Sequence, residues 1–460
     1  MPTSSVGSRR AWLMVGAGIS LLAGLDGALL LLGVWSPVLS SRLSDWHGPL
    51  MVLGFVGTVI CLERAVALGK RPGYLVPLIS GLGVIVLLVP LTPPRFGLTL
   101  LTLAQLGLLG IYVPLWKRNQ DDATVIQIAG AFCAAGAAAL LTSGADVPDV
   151  IGWLACYLIL TICGERLELS RLTMTRNRAL PALCLTVVAA LFVSVASPQI
   201  GYRLLGLVLI ALAVWLCRND VARGELKRGG QSAYIGLLLM IGYLWLGLAG
   251  LIWTINGLLT TGRAYDAVVH SVFLGFTMGM ILGHAPIILP AVLRVRLSWT
   301  TWFWLPAFLL ETSLLVRIGI GDALNRPTAV QAGGVVNVLS LLTLVAVVAT
   351  HVRSRSRPDT HPKPATPHTT LPLRRDHGRD HVRVGRPQAG HEQAQLAPQG
   401  VPSGLRVAGG PAHRGDREPV DPAVALAVGP HGHPRRRNDL DHGVGPVLHR
   451  GDPAQQPHRG

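Results

Sequence analysis

The stretch HGPLMVLGFVGTVICLERA, His47 to Ala65, decides the fold, because parts of it return twice further along the chain. Ile60-Cys61-Leu62-Glu63-Arg64 reappears as Ile162-Cys163-Gly164-Glu165-Arg166, inside LTICGERLEL, Leu160 to Leu169. Leu53-Gly54-Phe55 reappears as Leu274-Gly275-Phe276, inside HSVFLGFTMGMILGHAP, His270 to Pro286. Eight residues after the phenylalanine stands Glu63 in the first case and His284 in the other. These are the second, sixth and tenth hydrophobic segments of the chain. A period of four segments in twelve predicts a threefold internal repeat, with helices two, six and ten facing one another.

The surrounding sequence has a membrane composition. Half the residues are hydrophobic, 14% are charged, and the mean hydropathy is +0.47. A bilayer core needs about 20 consecutive apolar residues per helix. Twelve runs qualify, at 12–34, 47–68, 74–92, 97–116, 124–143, 149–169, 179–196, 200–217, 233–257, 265–290, 299–319 and 328–350. The fold class expected is therefore an all-α polytopic membrane protein, with a twelve-helix domain over 1–352. The first run carries Asp26 and lacks a small-residue cleavage site, so it reads as a retained anchor and not a removed signal peptide. Gly16-Ala17-Gly18 and Gly81-Leu82-Gly83 lie in apolar runs and read as helix-packing residues, because no strand precedes them as a nucleotide loop requires.

Lysine and arginine placement gives an orientation. With the N-terminus inside, twenty of these residues between Arg9 and Arg357 fall on the inner side and six on the outer: Arg42, Arg95, Arg203, Arg263, Arg317 and Arg326. That asymmetry holds only for an even number of spans. The expectation is a multi-pass protein of the inner cell membrane with both termini cytoplasmic. The six cysteines, Cys61, Cys133, Cys156, Cys163, Cys184 and Cys217, form no CxxC pair, which points to small apolar packing residues.

From 353 to 460 the chain contains no Phe, Trp, Tyr, Ile, Met or Cys. This basic Pro/Arg/His/Gly-rich tail cannot bury enough apolar surface to offset the entropy of ordering it, and disorder is expected. Eleven of the fifteen histidines lie there at irregular spacing, which argues against metal capture. The same residue set is what an out-of-frame reading of a GC-rich coding sequence yields. The formal charge of +16 comes from the inner-side arginines and this tail, so no nucleic-acid partner is implied.

Ionisable residues within the spans are costly, and each is a functional hypothesis. Glu63-Arg64 and Glu165-Arg166 close helices two and six, either as a charge-paired anchor with snorkelling arginines or as a site that orients a ligand or carries protons. His47 and His270 each open a helix running from outside to inside, so they lie at similar depth. They read either as interfacial residues bonded to water and carbonyls or as a pair of imidazole ligands for a haem or metal. His284, fourteen residues past His270, is about 21 Å deeper, near the level of Glu63 and Glu165, and an ideal helix puts both histidines on one face. Pro286 and Pro290 are expected to kink or end helix ten, with His284 hydrogen-bonded beside them. Gln105 and Asn337 are expected to donate interhelical hydrogen bonds. Asp26, Glu311 and Arg317 are single charges without an assignable partner.

Twelve spans with a four-helix period and histidines on helices two and ten resemble subunit I of the haem–copper oxidase and nitric oxide reductase superfamily. Trp46-His47, Met51, Gly54-Phe55 and His270, Gly275, Leu282-Gly283-His284 also look like the NnrS family, over roughly residues 10–350. That family is described as haem- and copper-containing and linked to nitrogen-oxide stress. The resemblance implies a b-type haem on His47 and His270, copper or another second metal at His284, and a redox partner protein. Helices six and seven lack the copper-site histidines, and there is no His-x-His on helix ten, so a haem–copper terminal oxidase is excluded. No catalytic motif appears. Two other readings stay open: a secondary transporter of a small solute, although a four-helix period departs from two six-helix halves, and a cofactor-free membrane assembly protein.

Overall fold

A computed structural model describes residues 4–37, 42–170, 178–293 and 295–353. The chain divides into two units, Met1–Thr366 and Pro367–Gly460, and every described residue lies in the first. Except for Arg353 itself, the tail expected from 353 onward lies outside the described residues.

Among the described residues, twelve helices are long and apolar enough to cross a membrane. They are α1 (Arg10–Leu31), α2 (Leu43–Leu68), α3 (Arg71–Leu88), α4 (Pro94–Asn119), α5 (Asp122–Ser143) and α6 (Val147–Leu169). Then follow α7 (Ala179–Ala196), α8 (Pro198–Asn219), α9 (Gly230–Asn256), α10 (Gly262–Leu293), α11 (Thr301–Asp322) and α12 (Pro327–His351). Each coincides with a predicted run to within a few residues. Leu82, Phe96, Leu185 and Phe308 remain exposed, as side chains facing lipid would. The chain is an integral membrane protein whose apolar helices suit a lipid bilayer.

The helices pack as three sets of four: α1–α4, α5–α8 and α9–α12. The sets join through α4 against α5, α8 against α9, and α12 against α1. The second helices of the sets, α2, α6 and α10, each touch the other two. In α2 and α6 72% of the apolar window is buried, against 33% in α7. The helices carrying the repeated motifs do face one another.

Polar contacts at the two ends hold the alternation of direction. Arg10 at the start of α1 donates to the Val292 carbonyl at the end of α10 (3.1 Å) and to the Tyr74 hydroxyl (3.1 Å) at the start of α3. The segment after α10 pairs with the segment after α12 as a two-residue antiparallel ladder, Arg296 opposite Arg353 and Leu297 opposite Val352. At the other end Arg42 donates to the carbonyls of Pro90 and Thr92 at 2.6 Å, and Gln331 to the carbonyl of Leu32 at 3.0 Å.

Three helices contain π-helical stretches: Leu50–Val56 in α2, Ser271–Met278 in α10 and Leu315–Asp322 in α11. Both Leu-Gly-Phe motifs fall inside them. A π-helix bonds each N–H to the carbonyl five residues back, so its turn holds more residues than an α-turn. The expectation that His270 and His284 share a face used 100° per residue, and it does not carry across eight π-helical residues. Of the two effects expected of the prolines, a kink or an end, the end does not fall at them: α10 continues through Pro286 and Pro290 to Leu293. Pro286 has no N–H for the carbonyl of Leu282, and the buried Tyr234 hydroxyl donates to that carbonyl instead, at 3.1 Å.

Glycine sets the closest helix contacts. A Cβ on Gly16 of α1 would lie 2.5 Å from the Gly81 Cα of α3, whereas a Cβ on Gly18 would meet nothing within 4 Å. With lipid as apolar as the side chains, such backbone approaches are a main source of helix association. Gly16→Leu should therefore cost about 1–3 kcal/mol by overpacking, read as a lower unfolding temperature in detergent, while Gly18→Leu leaves that temperature unchanged.

Candidate functional site

At the end where α2 closes, Glu63 and Arg64 meet the end of α6. Arg64 Nη2 lies 2.8 Å from Glu63 and 3.6 Å from Glu165, and its Nη1 lies 3.6 Å from Glu168. Gln127 of α5 accepts from Arg64 Nη1 at 3.3 Å and donates to Glu168 at 3.4 Å. The guanidinium is buried, with its side chain 9% exposed, and it sits among three carboxylates. A lone arginine in an apolar interior would be unsustainable, and this one is matched on several sides.

The next repeat does the same thing four helices further on. Arg166 of α6 donates in a two-pronged fork to Asp220, Nη2 to Oδ1 at 2.7 Å and Nε to Oδ2 at 3.0 Å. Its third nitrogen, Nη1, lies 3.2 Å from His284 Nε2 on α10. Asp220 also accepts from the Tyr243 hydroxyl of α9 (3.0 Å) and from the Ala222 N–H (2.8 Å). In the motif alignment Glu63, Glu165 and His284 hold one position, and Arg64, Arg166 and Ala285 the next. Each arginine thus reaches the aligned residue of the following repeat: Arg64 to Glu165 and Arg166 to His284. The third link, from α10 back to α2, has no cation because Ala285 stands in the arginine position.

His284 is a neutral imidazole by the demands of its partners. Arginine has donors only, so Nε2 accepts, and Nδ1 then donates to the Met280 carbonyl at 2.9 Å. Both ring nitrogens are engaged. A metal on His284 would have to displace Arg166 from Nε2. Among the described residues no group of three or more His, Cys, Asp and Glu side chains forms a metal cage, and all six cysteines are free thiols.

The other two candidate histidines, His47 and His270, lie at the opposite end. His47 Nδ1 meets the Gly24 carbonyl of α1 at 2.7 Å. The approach depends on small residues: a Cβ on Gly24 would fall 2.6 Å from Met51 Sδ, and one on Gly27 2.4 Å from the Leu43 carbonyl. His270 Nδ1 meets the carbonyl of Asp266 at 2.8 Å and its carboxylate at 3.2 Å. Arg317 of α11 holds that carboxylate through two bonds, 2.9 and 2.7 Å. Gly333 and Gly334 of α12 leave the space that Arg317 fills. His47 lies within electrostatic range of His270, Arg317 and Asp266. A carbonyl accepts only, so each Nδ1 carries the hydrogen, and among the described residues Nε2 of both rings makes no hydrogen bond.

Sequence reasoning placed Arg317 and Glu311 without partners; these are Asp266 and the Trp245 indole, which donates to Glu311 at 2.8 Å. It missed Asp220, Asp266, Gln127 and Tyr243. The only signal for Asp220 is an acid amid the basic residues Arg218, Arg223, Lys227 and Arg228. The expected hydrogen bonds from Gln105 and Asn337 are corrected. Asn337 accepts from Ser313 through Oδ1, while its amide nitrogen and both ends of Gln105 are buried without a protein partner.

Removing Asp220 strands a buried guanidinium. Asp220→Ala should lower stability by about 3–5 kcal/mol, and Asp220→Leu combined with Arg166→Met should recover most of it. Thermal unfolding of the purified variants in detergent checks both, and equal losses in single and double variants would show that the pair's charge balance is not what matters.

Comparison with known proteins leaves the fold and site to stand on their own geometry. No curated protein and no solved structure matches the chain significantly. Residues 10–353 match a family described as a domain of unknown function, DUF8744. The match takes in all twelve spans and both histidine ends, and the chain belongs to the DUF8744 family.

Proposed function

We propose that this membrane protein binds a b-type haem through Nε2 of His47 and His270 and serves in redox or nitrogen-oxide handling, as the likeness to the NnrS family suggests. One observation carries the reading. Two imidazoles on contacting helices are each oriented by an Nδ1 hydrogen bond to a backbone carbonyl, and each keeps Nε2 open. This second-sphere arrangement is the one that fixes the ring and tautomer of metal-ligating histidines. Asp266 adds a carboxylate at the His270 ring, and Arg317 holds that carboxylate in place. Haem held by two imidazoles has no open iron position, so the chemistry it supplies when bound is one-electron transfer, which calls for a redox partner protein.

The chain's own contribution is positional. Gly24 and Asp266 set the two ring orientations, and Gly27 lets α1 sit close to the start of α2. His284 stays outside the ligand set because Arg166 occupies its Nε2, and copper at that position is the weaker part of the family likeness. By the lysine and arginine asymmetry, the histidine pair lies at the outer face of the inner cell membrane, with both termini in the cytoplasm.

Absorption spectra of the detergent-purified full chain, oxidised and dithionite-reduced, test the reading. The expected result is a haem spectrum that disappears in both His47→Ala and His270→Ala and survives in His284→Ala. A colourless, folded protein without metal by elemental analysis would overturn it and leave solute transport or membrane assembly.

A further inference from the structure

Among the buried polar atoms with no protein partner, four gather in the first two helix sets: Nε2 and Oε1 of Gln105, and the hydroxyls of Tyr112 and Tyr157. Their residues are 0%, 1% and 0% exposed. Gln105 and Tyr112 are seven residues apart on α4, two turns along one face, or about 10 Å. Tyr157 comes from α6. The tips of Gln105 and Tyr157 converge on Gly57 of α2, just past its π-helical stretch. A Cβ there would lie 3.1 Å from Gln105 Nε2 and 3.7 Å from the Tyr157 hydroxyl. Gly57 is eleven residues from the end of α2, about 16 Å deep. Towards that end, Tyr112 is within electrostatic range of Cys61, Glu63, Arg64 and Glu165, and Tyr157 of Cys61, Tyr112 and Glu165.

A buried amide and two phenols left open together in an apolar interior require something to bond to, and water bonded to several such groups is the usual occupant. Within electrostatic range of Tyr112 stand Glu63 and Glu165, which with Glu168 surround a single guanidinium; Glu168 is 46% exposed, and the excess of negative charge there favours cations. We propose that Gln105, Tyr112 and Tyr157 line a water-filled passage from the Glu63, Glu165 and Glu168 carboxylates to Gly57 in the membrane interior, an entry route for small hydrated cations, the proton included. This passage does not depend on whether His47 and His270 hold a group.

The protein carries its own reporter. Cys61 lies one turn from Gly57, in electrostatic range of both tyrosines, and Cys156 is an equally buried thiol, each 0% exposed. A dry interior leaves both inert, whereas a hydrated passage exposes Cys61 alone, since thiol modification needs access and a thiolate. The full-length protein is treated with cationic aminoethyl methanethiosulfonate or its anionic sulfonatoethyl counterpart, and each cysteine is followed by peptide mass spectrometry. The expected result is cationic modification of Cys61 at least tenfold faster than of Cys156 and tenfold faster than with the anion. Gln105→Leu with Tyr157→Phe should remove that advantage. Cys61 reacting no faster than Cys156, or equally with both charges, would overturn the proposal without any variant having to fold.

Discussion

A guanidinium carried into a bilayer must bring its counter-charge with it, and the packing of this bundle follows from where Arg64 and Arg166 find theirs. Arg64 draws α2 to α5 and α6 through Gln127, Glu165 and Glu168. Arg166 draws α6 to α9 and α10 through Asp220, Tyr243 and His284. In lipid there is no apolar driving force between helices, so directional bonds of this kind, together with glycine contacts, fix the neighbours. A fork-shaped pair such as Arg166 and Asp220 contributes geometry more than net energy, because desolvating both charges offsets much of their attraction.

The threefold plan is broken at one place, and the break is chemically meaningful. Where the first two repeats hold a glutamate and an arginine, the third holds His284 and Ala285. A third glutamate–arginine pair is thereby replaced by a neutral ring and a methyl group. Arg166 consequently spends two nitrogens on Asp220, outside the repeat, and gives only the third to the repeat partner. His284 has both ring nitrogens engaged, by Arg166 and the Met280 carbonyl, while His47 and His270, at the other end, keep a ring nitrogen open.

Much of this was legible in the sequence, and the exceptions have physical causes. Hydropathy located all twelve helices because a span must satisfy its backbone internally and be apolar outside. The Ile-Cys-x-Glu-Arg repeat identified the facing helices because the same side chains recur at the same depth. Asp220 and Asp266 were invisible because neither belongs to a repeated motif, and their role exists only once α8 and α10 are placed. A shared face for His284 and His270 does not follow from their spacing, because nothing in Ser271–Met278 announces a π-helical stretch to a rule that assumes 3.6 residues per turn. That α10 runs on past Pro286 was not legible because the compensating hydroxyl, Tyr234, lies 52 residues away on another helix.

A distinction between charged and neutral groups orders what remains. Arg64, Arg166 and Arg317 are each held by carboxylates, because an unmatched buried charge is costly, while the buried Arg10 at the helix ends makes do with a carbonyl and a hydroxyl. Neutral polar groups are under a weaker constraint: each one left open costs roughly 1–3 kcal/mol, which a bundle of this size can tolerate. Among the described residues open neutral groups recur along the bundle, at Ser36, Trp253, Ser271, Thr277 and Asn337, and in one place three gather. Gln105, Tyr112 and Tyr157 cluster between α2, α4 and α6, and the two free imidazole nitrogens belong to histidines on contacting helices at the opposite end. Carboxylates hold the arginines of the repeat, and Gln105, Tyr112 and Tyr157 are where neutral groups gather without a protein partner.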